Sequence, residues 1–76
     1  MTNIDIVKTI IADTLGVKRE DLKDCSKFED LGADSLDIVE LVLNIEDKFN
    51  IKIGEEEIGR LKTVKDVINY LNSKNL

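Results

Sequence analysis

Seventy-six residues, 42% hydrophobic and 36% charged, make a single domain over 1–76, near the lower size limit for a core without staples. Zero His and a single Cys25 exclude a disulfide framework, the common zinc ligand sets and the usual general base, so no metal site and no Ser-His-Asp enzyme is expected. A net charge of −5 and only three aromatic residues argue against nucleic acid as a partner. No apolar run approaches the ~18 residues of a membrane span, and no signal-peptide pattern opens the chain. A cytoplasmic monomer with no membrane insertion is therefore expected. The charge is unevenly spread: residues 29–57 hold ten acids against Lys48 and Lys52, a local charge of −8, and the remainder is +3. The middle of the chain should attract basic partners.

In chain order, Ile4, Val7, Ile10, Ile11 and Leu15 recur at helical spacing over residues 3–15. Thr2 or Asn3 can cap that helix, and Gly16 stands where a left-handed residue ends one. Residues 17–34 keep no period and form a long connection, with Val17, Leu22, Phe28 and Leu31 as hydrophobic anchors. A turn of helix is expected near 19–23 or 27–31, and Cys25 is expected to be a small buried or half-buried hydrophobe. Residues 35–49 form the strongest helix, capped by Asp34 or Ser35 with Asp37 in its first turn, and Asn50 closes it. An extended connector at 51–54 leads to a short helix over 55–61 that Gly59 weakens by about 1 kcal/mol. Thr63 caps the last helix, which runs to about Leu71 with Asp66 at the capping-box position. The fold class is all-α: a small four-helix bundle of three main helices and a short third one.

On a wheel, Ile38, Leu41, Val42, Ile45 and Phe49 of the second helix share an arc of about 100°, the width of a core stripe. Leu36, Val39 and Leu43 form a second apolar row beside it, flanked by Glu40, Glu46 and Asp47. Packing on two sides would explain that row. So would a docking site with an apolar centre and a charged rim, and the acidic middle of the chain favours docking.

Ser35 opens the same helix. As a simple N-cap it would satisfy a free backbone N–H. Yet Asp34 can do that instead, and the apolar row begins one residue later. A helix start also tolerates a phosphate anion, although no base stands beside the hydroxyl to make it a nucleophile in its own right.

The stretch Asp30-Leu31-Gly32-Ala33-Asp34-Ser35-Leu36-Asp37-Ile38-Val39-Glu40-Leu41 resembles the signature of the acyl carrier proteins. The likeness spans the chain, through Leu15-Gly16-Val17 near the start and Thr63-Val64, Val67-Ile68 and Tyr70 near the end. It implies that Ser35, flanked by Asp34 and Leu36, takes 4′-phosphopantetheine from coenzyme A through a phosphopantetheinyl transferase. The acyl chain then rides on the arm's thiol, so the chain itself is a carrier and not an enzyme. It further implies a partner face of Asp34, Leu36, Asp37, Val39, Glu40, Leu43, Glu46 and Asp47, met by Lys and Arg of ketosynthases, acyltransferases and other acyl-processing enzymes. An acyl cavity between the helices is implied too, with Phe28, Leu41, Ile45, Ile53, Ile58, Leu61 and Ile68 as candidate lining residues; ordinary core packing explains each equally.

The chain departs from the family pattern at Gly54, where many members have proline, and at Gly59, Arg60 and Lys48. Its charge is also mild. These departures bear on partner range, because Asp34, Ser35, Leu36 and Glu40 are intact. Fatty acid synthesis is the first pathway expected. A carrier dedicated to polyketide or another specialised acyl pathway, or an unmodified helical interaction module, are the alternatives.

Overall fold

A computed structural model describes residues 2–74. Among them are four α-helices: α1 (Asn3–Leu15), α2 (Ser35–Phe49), α3 (Glu55–Ile58) and α4 (Val64–Ser73). Two 3-10 turns, Arg19–Asp21 and Glu29–Leu31, interrupt the long connection, so a turn occurs at each of the two places where one was expected at either. No β-strand occurs among the described residues, only an isolated antiparallel bridge between Lys27 and Thr63.

Each main helix starts with a reciprocal capping box, which satisfies otherwise unpaired backbone donors at both ends of a four-residue window. Thr2 pairs with Asp5, Asp34 with Asp37, and Thr63 with Asp66. The first two helix ends reverse through left-handed residues: Gly16 at φ 69° and Asn50 at φ 54°. Gly16 bears that geometry without Cβ strain, and Asn is the side chain that best tolerates it.

The core comprises Val7, Ile11 and Ala12 of α1, Leu41, Val42 and Ile45 of α2, and Val64, Val67, Ile68 and Leu71 of α4. Leu22 and Phe28 of the long connection, with Ile53 and Leu61, complete it. No polar side chain is buried among the described residues. Packing of α1 against α2 and α4 explains the three apolar stripes read from periodicity. Ile4 departs from its stripe: in the first turn of α1, where the core ends, it is 44% exposed.

The long connection is fastened as well as anchored. The carbonyls of Asp24 and Ser26 accept the Lys65 and Val64 N–H groups at 2.8 and 3.1 Å, satisfying two free donors at the start of α4. The Phe28 N–H donates to the Lys62 carbonyl at 3.0 Å. Lys8 pairs with Asp24, and Arg19 with Asp5. Cys25 lies between the two residues whose carbonyls accept these bonds and is exposed, contrary to the expected buried or half-buried position. The backbone here is held by polar contacts to α4, so the thiol is not needed to pin it.

Helix α3 also differs, covering four residues instead of 55–61. After Ile58 the bonds tighten: Arg60 N–H reaches Glu57 and Leu61 N–H reaches Ile58, both three residues back. That tighter turn accompanies the burial of Leu61 and the approach of Lys62 and Thr63 to the 27–28 segment.

Asp5 carries a testable consequence. Its carboxyl is held below its usual 3.8 by the Thr2 hydroxyl first, then the Thr2 backbone N–H, with the Arg19 charge adding. A depressed carboxylate contributes stability above its unfolded value and loses it as pH falls through the lower folded value. Asp5→Asn should therefore flatten the acid limb of melting temperature against pH below 3.8, measured by circular dichroism. An unchanged acid limb would show that other carboxylates control it.

Candidate functional site: the start of helix α2

The approach to α2 is a tight reversal. The 3-10 turn Glu29–Leu31 ends at Gly32, whose φ of 85° a side chain would strain, and the Ala33 N–H returns to the Phe28 carbonyl at 3.0 Å. Asp34 then accepts the Asp37 N–H at 3.0 Å, while Asp37 accepts the Asp34 N–H at 3.1 Å. Asp34, not Ser35, takes the cap. The Ser35 side chain is left exposed at the first helical position without a capping duty. The N–H groups of Ser35 and Leu36 have no partner within the helix, so the site favours a negative group on that hydroxyl.

Beside Ser35 opens a cleft of about 590 Å³. Phe28, Ala33, Ile38 and Leu61 supply its apolar lining, and Lys27, Glu29, Asp34 and Lys62 its charged lining. Of the residues expected to line an acyl cavity, only Phe28 and Leu61 border this cleft. Leu41, Ile45, Ile53 and Ile68 are buried in the core, and Ile58 is half-buried against it. Sequence reading missed Lys27, Glu29 and Lys62, and assigned Ile38 to the core stripe alone. Nothing local marks Lys62 as a neighbour of Ser35, because the pairing of the 27 and 63 segments brings it there.

The second apolar row of α2 is on the surface. Leu36 is 78% exposed, Val39 51% and Leu43 57%. Two-sided packing therefore does not account for it. Glu40 and Asp47 are exposed beside the row. Glu46 is half-buried, and its carboxylate accepts the Ile53 N–H at 2.7 Å, tying the connector after α2 to the helix. Asp37 is half-buried and occupied in the capping box.

A phosphopantetheine arm fits these features on chemical grounds. The acceptor hydroxyl is exposed, unpartnered helix donors face an added phosphate, and an open cleft with apolar walls adjoins it.

Comparison with known proteins agrees with that chemistry. The family model for a phosphopantetheine attachment site matches residues 5–71. An acyl carrier protein of Wolinella succinogenes is 49% identical over 74 residues, covering 96% of this chain and 97% of the relative. One from Chlamydia muridarum is 51% identical over 71 residues, covering 92% of each. The crystal structure of an acyl carrier protein from Thermotoga maritima superimposes with a TM-score of 0.79 at 34% identity, covering 93% of this chain and 84% of that one. The HMG-ACPI domain from the CurA module of Lyngbya majuscula gives 0.78 at 25% identity, covering 90% and 70%. An exposed serine at a capped helix start, an open cleft beside it and this breadth of similarity have one reading: the chain belongs to the acyl carrier protein family.

Proposed function

We propose that Ser35 is the residue to which 4′-phosphopantetheine is attached, and that this carrier serves fatty acid synthesis in the cytoplasm as a monomer. The observation that carries the assignment is the division of labour at the start of α2, where Asp34 caps and the exposed Ser35 hydroxyl is free to react. When attached, the arm supplies a thiol on which an acyl chain is held as a thioester. The chain's own residues present the hydroxyl, support the phosphate with helix donors, and offer a face to the enzymes that act on the cargo. A phosphopantetheinyl transferase and acyl-processing enzymes are the partner classes, with ketosynthases and acyltransferases among them.

The face is Leu36, Val39 and Leu43, with Asp34, Asp37, Glu40, Glu46 and Asp47 around it. Glu40 and Asp47 are the best placed for steering, since Glu46 and Asp37 spend carboxylate oxygens on backbone donors. Of the candidate lining residues, Phe28 and Leu61 would receive the near part of an acyl chain. Entry further in would require Leu41, Ile45, Ile53, Ile58 and Ile68 to part. A specialised acyl pathway is the second reading, favoured by Lys48 in the acidic row.

The direct test is intact mass after incubation with coenzyme A and a broad-specificity phosphopantetheinyl transferase. A gain equal to one phosphopantetheine is expected, and no gain would sink the carrier reading. For the face, Glu40→Lys with Asp47→Lys should slow association with that transferase on the order of tenfold at low ionic strength, and less as salt is raised. Stopped-flow rates across a salt series check this. A loss that ignores salt would argue against steering.

A further inference from the structure

We propose that Lys27 and Lys62 form a cationic clamp for the phosphodiester at the base of the arm, drawing the arm's first atoms onto the cleft side of α2. The proposal rests on Ser35 as the attachment point. Both lysines line the same cleft as Ser35, although they come from segments far apart in sequence. Their backbones are fixed relative to each other, because Lys27 bridges Thr63 and the Phe28 N–H donates to the Lys62 carbonyl. Both are exposed, and neither has an ion-pair partner among the described residues, whereas Lys8 and Arg19 do.

The local charges make this pair conspicuous. Residues 29–57 carry a charge of −8, yet the cleft beside Ser35 is lined by two lysines from outside that segment as well as by Glu29 and Asp34. One Asp34 oxygen is already engaged by the Asp37 N–H. A phosphodiester is a permanent monoanion, and its phosphorus would be bonded directly to the Ser35 oxygen. It would therefore sit beside the unpartnered N–H groups at the start of α2, at the cleft that both flexible lysines line. Leu36, Val39 and Leu43 do not line this cleft, so the clamp keeps the base of the arm clear of the docking row. Lys27 and Lys62 are thus positioning residues: they act on where the arm leaves the protein.

The test uses the full chain before and after loading by the transferase. Intact mass first establishes loading, and a chain that gains no mass overturns the attachment reading itself, separately from the clamp. Trace acetylation of amines, read peptide by peptide, is then compared in the two forms. Lys27 and Lys62 should label roughly threefold more slowly in the loaded form, the scale of an exposed ion pair, with Lys18 and Lys65 unchanged. High salt should remove the protection. In loaded Lys27→Gln/Lys62→Gln, the ³¹P resonance should move toward that of the same loaded chain unfolded in urea. Equal labelling in a chain of confirmed loading would overturn the clamp. So would protection that survives high salt, which reports covering rather than pairing, or protection that appears only when the thiol carries a malonyl group, which places the acyl carboxylate there instead.

Discussion

Ser35→Ala will abolish attachment of the arm and leave the stability of the fold within about 0.5 kcal/mol of the parent, as for other exposed sites without a structural role. Both halves follow from the same geometry. Attachment needs an oxygen that can accept the phosphoryl group, and alanine has none. Stability does not need it, because the Asp34 carboxylate accepts the Asp37 N–H and the Asp37 carboxylate accepts the Asp34 N–H in return. Asp34→Ala, by contrast, removes the cap and should cost about 1 kcal/mol. Intact mass after the transferase reaction and urea denaturation of the three proteins check these outcomes. A mass gain that persists in Ser35→Ala would refute the site. A large loss of stability in that variant would mean that the serine, and not Asp34, holds the helix start.

The second large effect lies at Phe28. This ring is buried to 2% exposure in a connection without long helices, and it lines the cleft beside Ser35 as well as the core. Its backbone is held at both ends, by the bond from its N–H to Lys62 and by those from Leu31 and Ala33 to its carbonyl. Phe28→Ala should therefore leave a cavity that the surrounding backbone cannot easily close, costing about 3–5 kcal/mol. A chain of this size has roughly 4–11 kcal/mol in total, so much of its stability would go. Urea denaturation should show the lowered midpoint, and a loss below 1.5 kcal/mol, taken roughly from the range for tolerated core swaps, would mean the site collapses freely. Phe28→Leu keeps most of the volume and separates a packing loss from an effect on loading.

The helices were legible because their determinants are local. A capping box spans four residues, and an apolar stripe repeats within one element, so α1, α2 and α4 appear where periodicity and caps put them. The exposed row Leu36, Val39, Leu43 was legible for a related reason: one helix carried more apolar surface than one core stripe requires. What escaped sequence reading was non-local. Cys25 resembles a small core residue by type, yet its neighbours' carbonyls are committed to α4 and its thiol is exposed. Helix α3 stops early as the chain tightens into the turn at 59–61, where Leu61 is buried. Glu46 looks like a rim acid on a wheel, but the connector's Ile53 N–H reaches it.

By itself the sequence determined an all-helical domain with its acids concentrated over 29–57, a serine at the start of the strongest helix and the family resemblance around it. Those features depend on neighbours a few residues apart, so periodicity, caps and charge counts suffice to read them. The local capping box settled that Asp34 and not Ser35 caps that helix, whereas tertiary structure opened the cleft beside the serine. It also placed Lys27 and Lys62 on that same cleft, beside a middle segment whose charge is −8. The physical reason is the pairing of segments 27–28 and 62–63: backbone hydrogen bonds between distant stretches leave no periodic trace in the residues they join.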